Sequence, residues 1–118
     1  GFVTCAALRL NANGDATLAN AGHLAPFRDG AEMPVESGLP LGVMNGVRYE
    51  ETQFCVGPAD GITLCTDGVV EAENSERELF GFERTQAISA QSAQAIADAA
   101  QQWGQNDDIT VVTVRRDT

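Results

Sequence analysis

Short apolar runs separated by glycine-containing turns fill the first half of the chain, and this pattern constrains the fold more than any other feature. Such runs cover residues 2–10, 16–21 and 62–66, lengths that are typical of strands rather than helices. Residues 11–15 between the first two runs contain Asn-Gly-Asp, which tolerates positive φ and predicts a hairpin turn. The first run is apolar at nearly every position, which predicts a strand that is buried on both faces.

Two further segments of this half carry strand signals. Residues 24–28 and 31–36 flank Asp29-Gly30, which indicates a second hairpin. Residues 48–56 alternate polar and apolar side chains, as a half-exposed strand does. Residues 38–42 contain two glycines and a proline and predict a loop.

Helical periodicity appears only in the second half of the chain. Residues 82–89 predict two helical turns, and Ser92 to Trp103 predicts a longer helix with Ser92 as its N-cap and Gly104 at its end. Residues 109–114 are rich in β-branched side chains and predict a last strand. The class is therefore α+β, with antiparallel sheets and helices segregated towards the end.

The charge of the chain excludes several partners. Its 118 residues include 17 acidic side chains and 7 basic ones, all arginine, for a net charge of -10. A surface that tracks phosphates cannot be built from so few cations, which argues against nucleic acid and against contact with anionic membranes. The sequence shows neither a run of about 20 apolar residues nor a signal-peptide pattern. The three cysteines lie in apolar runs, and their odd number predicts buried free thiols in the cytoplasm rather than a disulfide framework.

Acidic residues stand at the ends of two predicted strands. Asp67 follows the run 62–66, and Asp107 and Asp108 precede the strand 109–114. If these strands are antiparallel neighbours, the end of one lies beside the beginning of the other and the carboxylates share one edge. Carboxylate oxygens brought together in this way suit Mg²⁺ or Mn²⁺. From spacing alone, the alternative that these are only turn residues stays open.

Five short motifs occur in order along the chain: Asn20-Ala21-Gly22-His23, Gly38-Leu39-Pro40-Leu41-Gly42, Thr66-Asp67-Gly68-Val69-Val70-Glu71-Ala72, Glu78-Leu79-Phe80-Gly81 and Asp107-Asp108-Ile109-Thr110. Together they resemble the metal-dependent protein phosphatase family (PPM, type 2C), in the bacterial branch of stage II sporulation protein E and RsbU. The resemblance extends from Phe2 to Arg115. It implies an α/β sandwich of two antiparallel sheets flanked by helices.

The resemblance also implies a chemistry. Members of the family hydrolyse phosphoserine and phosphothreonine in proteins with water activated by two Mn²⁺ or Mg²⁺ ions. Asp67 and Asp107 match family metal ligands, Gly68 lets the backbone pass close to the metal, and Asp108 stands beside a ligand in a supporting role. No side chain is assigned as catalytic, and His23, the only histidine, is interpreted as part of a structural strand end.

One family feature has no counterpart in the chain. The Asp-x-Ser-Gly-x-Gly segment, whose aspartate bridges the metals, and a further upstream acidic residue are both missing. Residues 1–118 are therefore predicted to be a single partial domain, the C-terminal half of a PPM-type phosphatase domain. The parent protein is expected to be a phosphatase, and the isolated chain is expected to be inactive and to bind metal weakly or not at all. Two alternatives remain: a non-catalytic β-rich interaction or assembly module, and an acidic binding module without metal.

The absence of the N-terminal half of the domain also affects the expected oligomeric state. Removing half of a sandwich leaves strand edges and apolar faces uncovered, and residues 2–10 are the most exposed candidate. The expectation is a homo-oligomer through these edges. The competing expectation is a monomer in which the helix Ser92 to Trp103 folds over the open face.

Overall fold

The computed structural model describes residues 1–117, which form two antiparallel sheets and three helices. The elements confirm the predicted α+β class. The strands are β1 (Cys5–Leu10), β2 (Asp15–Ala21), β3 (Phe27–Arg28), β4 (Ala31–Glu32), β5 (Glu51–Cys55), β6 (Gly61–Cys65) and β7 (Val111–Arg115), and the helices are α1 (Asp67–Val70), α2 (Gly81–Ile88) and α3 (Ala93–Gly104).

The first sheet has the strand order β1-β2-β5. The predicted hairpin of β1 and β2 is confirmed, with Leu8 opposite Leu18. Its turn closes through a hydrogen bond of 3.0 Å from the Gly14 amide to the Asn11 carbonyl. Gly14 has φ +96°, a conformation that glycine adopts without steric cost.

The prediction that the first apolar run is buried on both faces is wrong. Phe2 and Val3 are 64% exposed and precede the strand, and Leu10 at the end of β1 is 42% exposed. The reason is topological: β1 is the last strand of its sheet, and among the described residues its one full partner is β2. The apolar sequence shows that the side chains of this strand can be buried. The elements that pack against the strand determine which of these side chains are buried.

The second sheet has the strand order β4-β3-β6-β7. The predicted hairpin of β3 and β4 is confirmed, although each strand has only two residues. Strands β6 and β7 pair antiparallel over their whole length, from Gly61 opposite Arg115 to Cys65 opposite Val111.

The second sheet lies between the first sheet and the helices. Along β6, Ile62 and Leu64 pack towards the first sheet, and Cys65 packs towards the helices, as alternation along a strand requires. One core cluster joins the sheets through Ala16, Met33, Val56 and Ile62. The other joins the second sheet to the helices through Cys65, Val69, Ala72, Phe80, Ile96 and Ala100.

The helices follow the predictions with one addition. Helix α3 is capped as expected, because the Ser92 hydroxyl accepts a hydrogen bond of 3.1 Å from the Ala95 amide. The addition is α1, a single helical turn that begins at Asp67, where the sequence predicts no helix. Within residues 1–117, none of the helices has the length and apolar character that crossing a membrane requires.

The three cysteines differ in their surroundings. All are free thiols, as predicted. Cys65 is 1% exposed and Cys5 is half-buried, but Cys55 is exposed, so the expectation of burial is wrong for Cys55. Cys55 ends β5, which is the other outer strand of the first sheet.

Candidate functional site

The pairing of β6 with β7 places the predicted acidic residues at one edge of the second sheet. Beyond the last strand pair, the Thr66 amide donates to the Thr110 carbonyl at 3.0 Å, and the Thr110 amide donates to the Thr66 hydroxyl at 2.9 Å. Asp67 follows immediately on one side, and Asp107 and Asp108 precede on the other. The juxtaposition expected for antiparallel neighbours is confirmed.

Gly68 brings these two acidic segments into direct backbone contact. Gly68 is buried, and a Cβ at this position would collide with the carbonyl oxygen and carbon of Asp108. No side chain larger than hydrogen fits without moving one segment away from the other. The glycine of the Asp67-Gly68 motif is thus required by close packing, and its φ is not in the left-handed region.

The carboxylates at this edge are open to solvent. Asp67, Asp107 and Asp108 are all exposed. The Asp107 carboxylate accepts a hydrogen bond of 2.7 Å from the Asp108 amide, and the Asp107 carbonyl accepts one of 3.2 Å from the Gln105 side chain. These bonds restrain the orientation of Asp107.

The carboxylates at this edge are the kind of ligand that a hard cation prefers, but they are few. Carboxylate oxygens are the ligands that Mg²⁺ and Mn²⁺ prefer. Within residues 1–117, no group of three or more histidine, cysteine, aspartate or glutamate side chains is close enough to hold a metal ion. Asp67 and Asp107 can therefore contribute to a metal site, but these residues do not enclose one.

The motif that contains His23 is held by a buried asparagine. Asn20 is 2% exposed; its side chain accepts from the His23 amide at 2.7 Å and donates to the His23 carbonyl at 2.9 Å. The His23 Nδ1 lies 2.9 Å from the Leu24 carbonyl oxygen, which can only accept, so Nδ1 carries a hydrogen. These contacts support the structural interpretation of His23.

The loop of residues 38–42 packs against this motif. The Gly38 amide donates to the Asn20 carbonyl at 2.9 Å. Gly22 has φ +70°, and a Cβ there would lie 2.7 Å from the Pro40 ring. The Tyr49 hydroxyl donates to the Leu39 carbonyl at 2.8 Å. Two of the sequence motifs therefore stabilise each other, a role for Pro40 and Tyr49 that the sequence did not indicate.

Strands β1 and β7 border an open apolar groove of about 370 Å³, here named the β1–β7 groove. Uncovered apolar side chains are predicted for residues 2–10, but the part that the last strand contributes is not; its signal was the alternation of Val112 and Val114. His23, Thr66 and Thr110 line the groove beside the acidic edge. Its apolar walls are formed by Ala6, Leu8, Leu10, Leu64, Val112 and Val114.

Several solved structures share this fold, and among them are domains named as PP2C or phosphatase domains. The structure of the RsbU and RsbW domains of Rv1364c from Mycobacterium tuberculosis has a TM-score of 0.71 and 23% identity, over 96% of this chain and 36% of that one. The SiaA-PP2C domain of Pseudomonas aeruginosa has a TM-score of 0.68 and 21% identity, over 89% and 48%. The phosphatase domain of the cell fate determinant SpoIIE from Bacillus subtilis has a TM-score of 0.66 and 23% identity, over 98% and 56%.

These likenesses establish the fold of PP2C-type phosphatase domains. The profile of the stage II sporulation protein E (SpoIIE) family matches residues 1–117. The chain belongs to this family, as the sequence motifs predict. It spans little more than half of the SpoIIE phosphatase domain, and less of the other two structures. A comparison with curated proteins finds no match.

Proposed function

We propose that the chain is the C-terminal half of a PPM-type phosphatase domain, whose parent protein removes phosphate from phosphoserine and phosphothreonine in bacterial signalling proteins. The observation that carries this proposal is the edge of the second sheet, where Gly68 holds the Asp67 segment against the Asp108 backbone. Membership of the SpoIIE family supplies the reaction class.

In this proposal Asp67 and Asp107 are ligands of Mn²⁺ or Mg²⁺. Asp108 supports the site by donating its amide hydrogen to the Asp107 carboxylate, and Gly68 keeps the two segments together. In the complete domain two ions would supply metal-activated water and neutralise phosphate charge. The two carboxylates of this chain are too few to hold such a pair, so binding by the isolated chain is expected to be weak.

Calorimetric titration with Mn²⁺ tests the ligand assignment. We expect the chain to bind Mn²⁺ weakly and the double variant Asp67→Asn/Asp107→Asn to bind none. The matched control is Glu36→Gln/Glu83→Gln, which removes the same charge at two exposed positions outside the segments that form the edge and should titrate like the unaltered chain. Equal Mn²⁺ affinity in the unaltered chain and the Asp67→Asn/Asp107→Asn variant would remove these residues from the site.

A measurement of phosphatase activity distinguishes the proposed phosphatase function from its alternative. The alternative is a non-catalytic β-rich interaction or assembly module, favoured by the small donor set and the open apolar groove. We expect the isolated chain with Mn²⁺ to hydrolyse para-nitrophenyl phosphate no faster than buffer. The parent protein should hydrolyse a phosphoserine peptide, and Asp67→Asn should lower that rate about a hundredfold or more. A parent protein without Mn²⁺-dependent activity would favour the interaction module.

Two further features belong to the proposal. The free thiols of Cys5, Cys55 and Cys65 support a reducing compartment, the cytoplasm. The uncovered edges of β1 and β7 support self-association of the isolated chain.

A further inference from the structure

We propose that Gly104 and Trp103, at the end of α3, are positioning residues for the candidate metal ligands Asp67 and Asp107. Their contacts with residues 73–80 hold the two acidic segments together at the edge of the second sheet. The inference rests on the proposed function in one respect, because Asp67 and Asp107 are taken to bind the cation. Neither Trp103 nor Gly104 lies in any of the five sequence motifs.

The first observation is a close backbone contact between the end of α3 and the residues that follow α1. The Glu73 amide donates to the Gly104 carbonyl at 2.9 Å. A Cβ at Gly104 would collide with the Glu73 carbonyl oxygen and lie 3.1 Å from the Cα of Asn74. Gly104 also has φ +149°, which side chains larger than hydrogen disfavour. A larger residue here would therefore push the two backbone segments apart.

The second observation is that this contact repeats the contact at Gly68 in the reverse direction. Gly68 packs against the Asp108 backbone, whereas Gly104 packs against the Glu73 backbone. The two contacts close a ring of backbone, with the segment that follows Asp67 on one side and the segment that leads to Asp108 on the other. Each side of the ring is thus held at both of its ends, which leaves it fewer conformations than a single contact would.

Asp107 lies within this ring, close to Gly104. Gln105 and Asn106 separate the two residues, and a chain spans at most about 3.6 Å per residue, so Asp107 stays within about 11 Å of Gly104. The Gln105 side chain also donates to the Asp107 carbonyl at 3.2 Å. Fixing Gly104 therefore restricts where the Asp107 carboxylate can lie.

The third observation is the set of contacts that Trp103 makes. Its indole N–H donates to the Glu78 carbonyl at 2.8 Å. Its ring packs edge-on against Phe80, with 5.8 Å between the ring centroids, and the Arg84 guanidinium lies 4.3 Å from its ring centre. Aromatic pairs and cation–π contacts are both attractive. The end of α3 cannot leave residues 73–80 without breaking these contacts.

Such positioning affects metal affinity. Two carboxylates repel each other, and a cation that binds both has to bring them together against this repulsion. The side chains of Asp67 and Asp107 are exposed, so their positions depend on the backbone that carries them. A backbone that already holds them at one edge lowers the cost of ordering the site when the cation binds.

Hydrogen exchange tests the positioning without metal. In Gly104→Ala, the amides of Glu73 and Thr110 should exchange about tenfold faster or more, relative to the slowest amides of the first sheet in the same variant. The Glu73 amide reports the contact itself, and the Thr110 amide, which donates to the Thr66 hydroxyl, reports the edge. The slowest amides report global unfolding, so the ratio removes any general loss of stability.

The matched control is Gly14→Ala, in the turn between β1 and β2. Gly14 also has a left-handed φ, of +96°, and a Cβ there would also meet a backbone carbonyl oxygen, that of Val56. This turn contacts Arg116, which follows β7 at the end away from Asp108. Gly14→Ala should destabilise the chain and leave the relative exchange at the edge unchanged.

Mn²⁺ titration of the parent protein tests the link to the ligands. Gly104→Ala should weaken Mn²⁺ binding about tenfold or more, at a temperature at which circular dichroism shows every variant folded. Gly14→Ala should bind Mn²⁺ like the unaltered parent protein. Trp103→Phe retains an aromatic ring but lacks the N–H donor, so it should speed the exchange and weaken Mn²⁺ binding about threefold. If Gly104→Ala does not fold, Trp103→Phe decides by the same two measurements.

Two results would overturn the proposal. The first is equal relative exchange of the Thr110 amide in Gly104→Ala and Gly14→Ala. The second is unchanged Mn²⁺ affinity in Gly104→Ala when Asp67→Asn/Asp107→Asn abolishes binding, because the contact would then be structural only. Mn²⁺ binding that survives Asp67→Asn/Asp107→Asn would instead refute the ligand assignment of the proposed function. The metal-free exchange would then decide by itself whether Gly104 positions the two segments.

Discussion

At the scale of single residues, the surroundings of a side chain set its chemistry. Cys65 ends β6 inside the core between the second sheet and the helices. Burial raises the pKa of its thiol to about 11, since a thiolate there would lose its hydration. Cys55, by contrast, lies at the end of β5 and its thiol is exposed to solvent.

This contrast predicts selective alkylation. At pH 8 a thiol with a pKa of about 11 is ionised to roughly one part in a thousand, and the thiolate is the reactive form. Iodoacetamide should therefore modify Cys55 in the folded chain and leave Cys65 unmodified, as measured by mass spectrometry of peptides. In urea both should react at similar rates. Modification of Cys65 as fast as Cys55 in the folded chain would show that the helical core opens readily.

At the scale of elements, the junction of β6, α1 and β7 depends on Gly68. The two strands pair in register up to Cys65 and Val111, and the chain then turns into α1 with its backbone against Asp108. The contact is between backbone groups, which cannot move aside as a flexible side chain can.

We therefore expect Gly68→Ala to destabilise the chain by about 1–3 kcal/mol and to weaken Mn²⁺ binding, because the added methyl group would separate the two acidic segments. Urea unfolding and calorimetric titration measure the two effects. The matched control is Gly61→Ala at the start of β6, whose added Cβ would have the flexible end of the Arg115 side chain as its nearest contact, at 3.2 Å. A Gly68→Ala variant as stable as Gly61→Ala would contradict the close packing.

At the scale of the whole molecule, the chain is flat and open. Its extents are 44 × 41 × 18 Å and its radius of gyration is 14.9 Å, whereas a compact domain of this length has about 13.5 Å. Its accessible surface is 7140 Å², above the roughly 6200 Å² expected for its mass. Both values agree with a sandwich in which β1 and β7, the outer strands that border the groove, are uncovered on one side within the described residues.

The isolated chain is consequently expected to self-associate. Light scattering at micromolar concentration should give about twice the monomer mass of 12.5 kDa, because pairing along β1 covers an edge that the parent protein would otherwise cover. Leu10→Asp, at the end of β1 and 42% exposed, should restore the monomer. Leu39→Asp changes a leucine that is 45% exposed in a loop and should not. A stable monomer with a cooperative melt would show that the chain closes its own core.

The sequence by itself determined the order of the strands and of the two longer helices. The turn at residues 11–15 and the Ser92 cap are encoded locally, because they depend on backbone preferences and on neighbours within a few residues. Strand lengths are not, since β3 and β4 have two residues each within the longer predicted segments 24–28 and 31–36. The motifs around Asp67 and Asp107 indicated the family. The edge that these residues share followed only if β6 and β7 are antiparallel neighbours, and the tertiary structure supplied that pairing.

Only the tertiary structure decided which apolar residues are buried. The apolar run at the start of the chain became an exposed edge, and Val112 came to line an open groove. The Arg28 guanidinium reaches from β3 to the Cys55 carbonyl of the first sheet and to Asp60, 2.6 Å away, and holds the pKa of that carboxyl below its usual value. These contacts join residues more than 25 positions apart. Periodicity and propensity act over one element, so they carry no information about which elements meet.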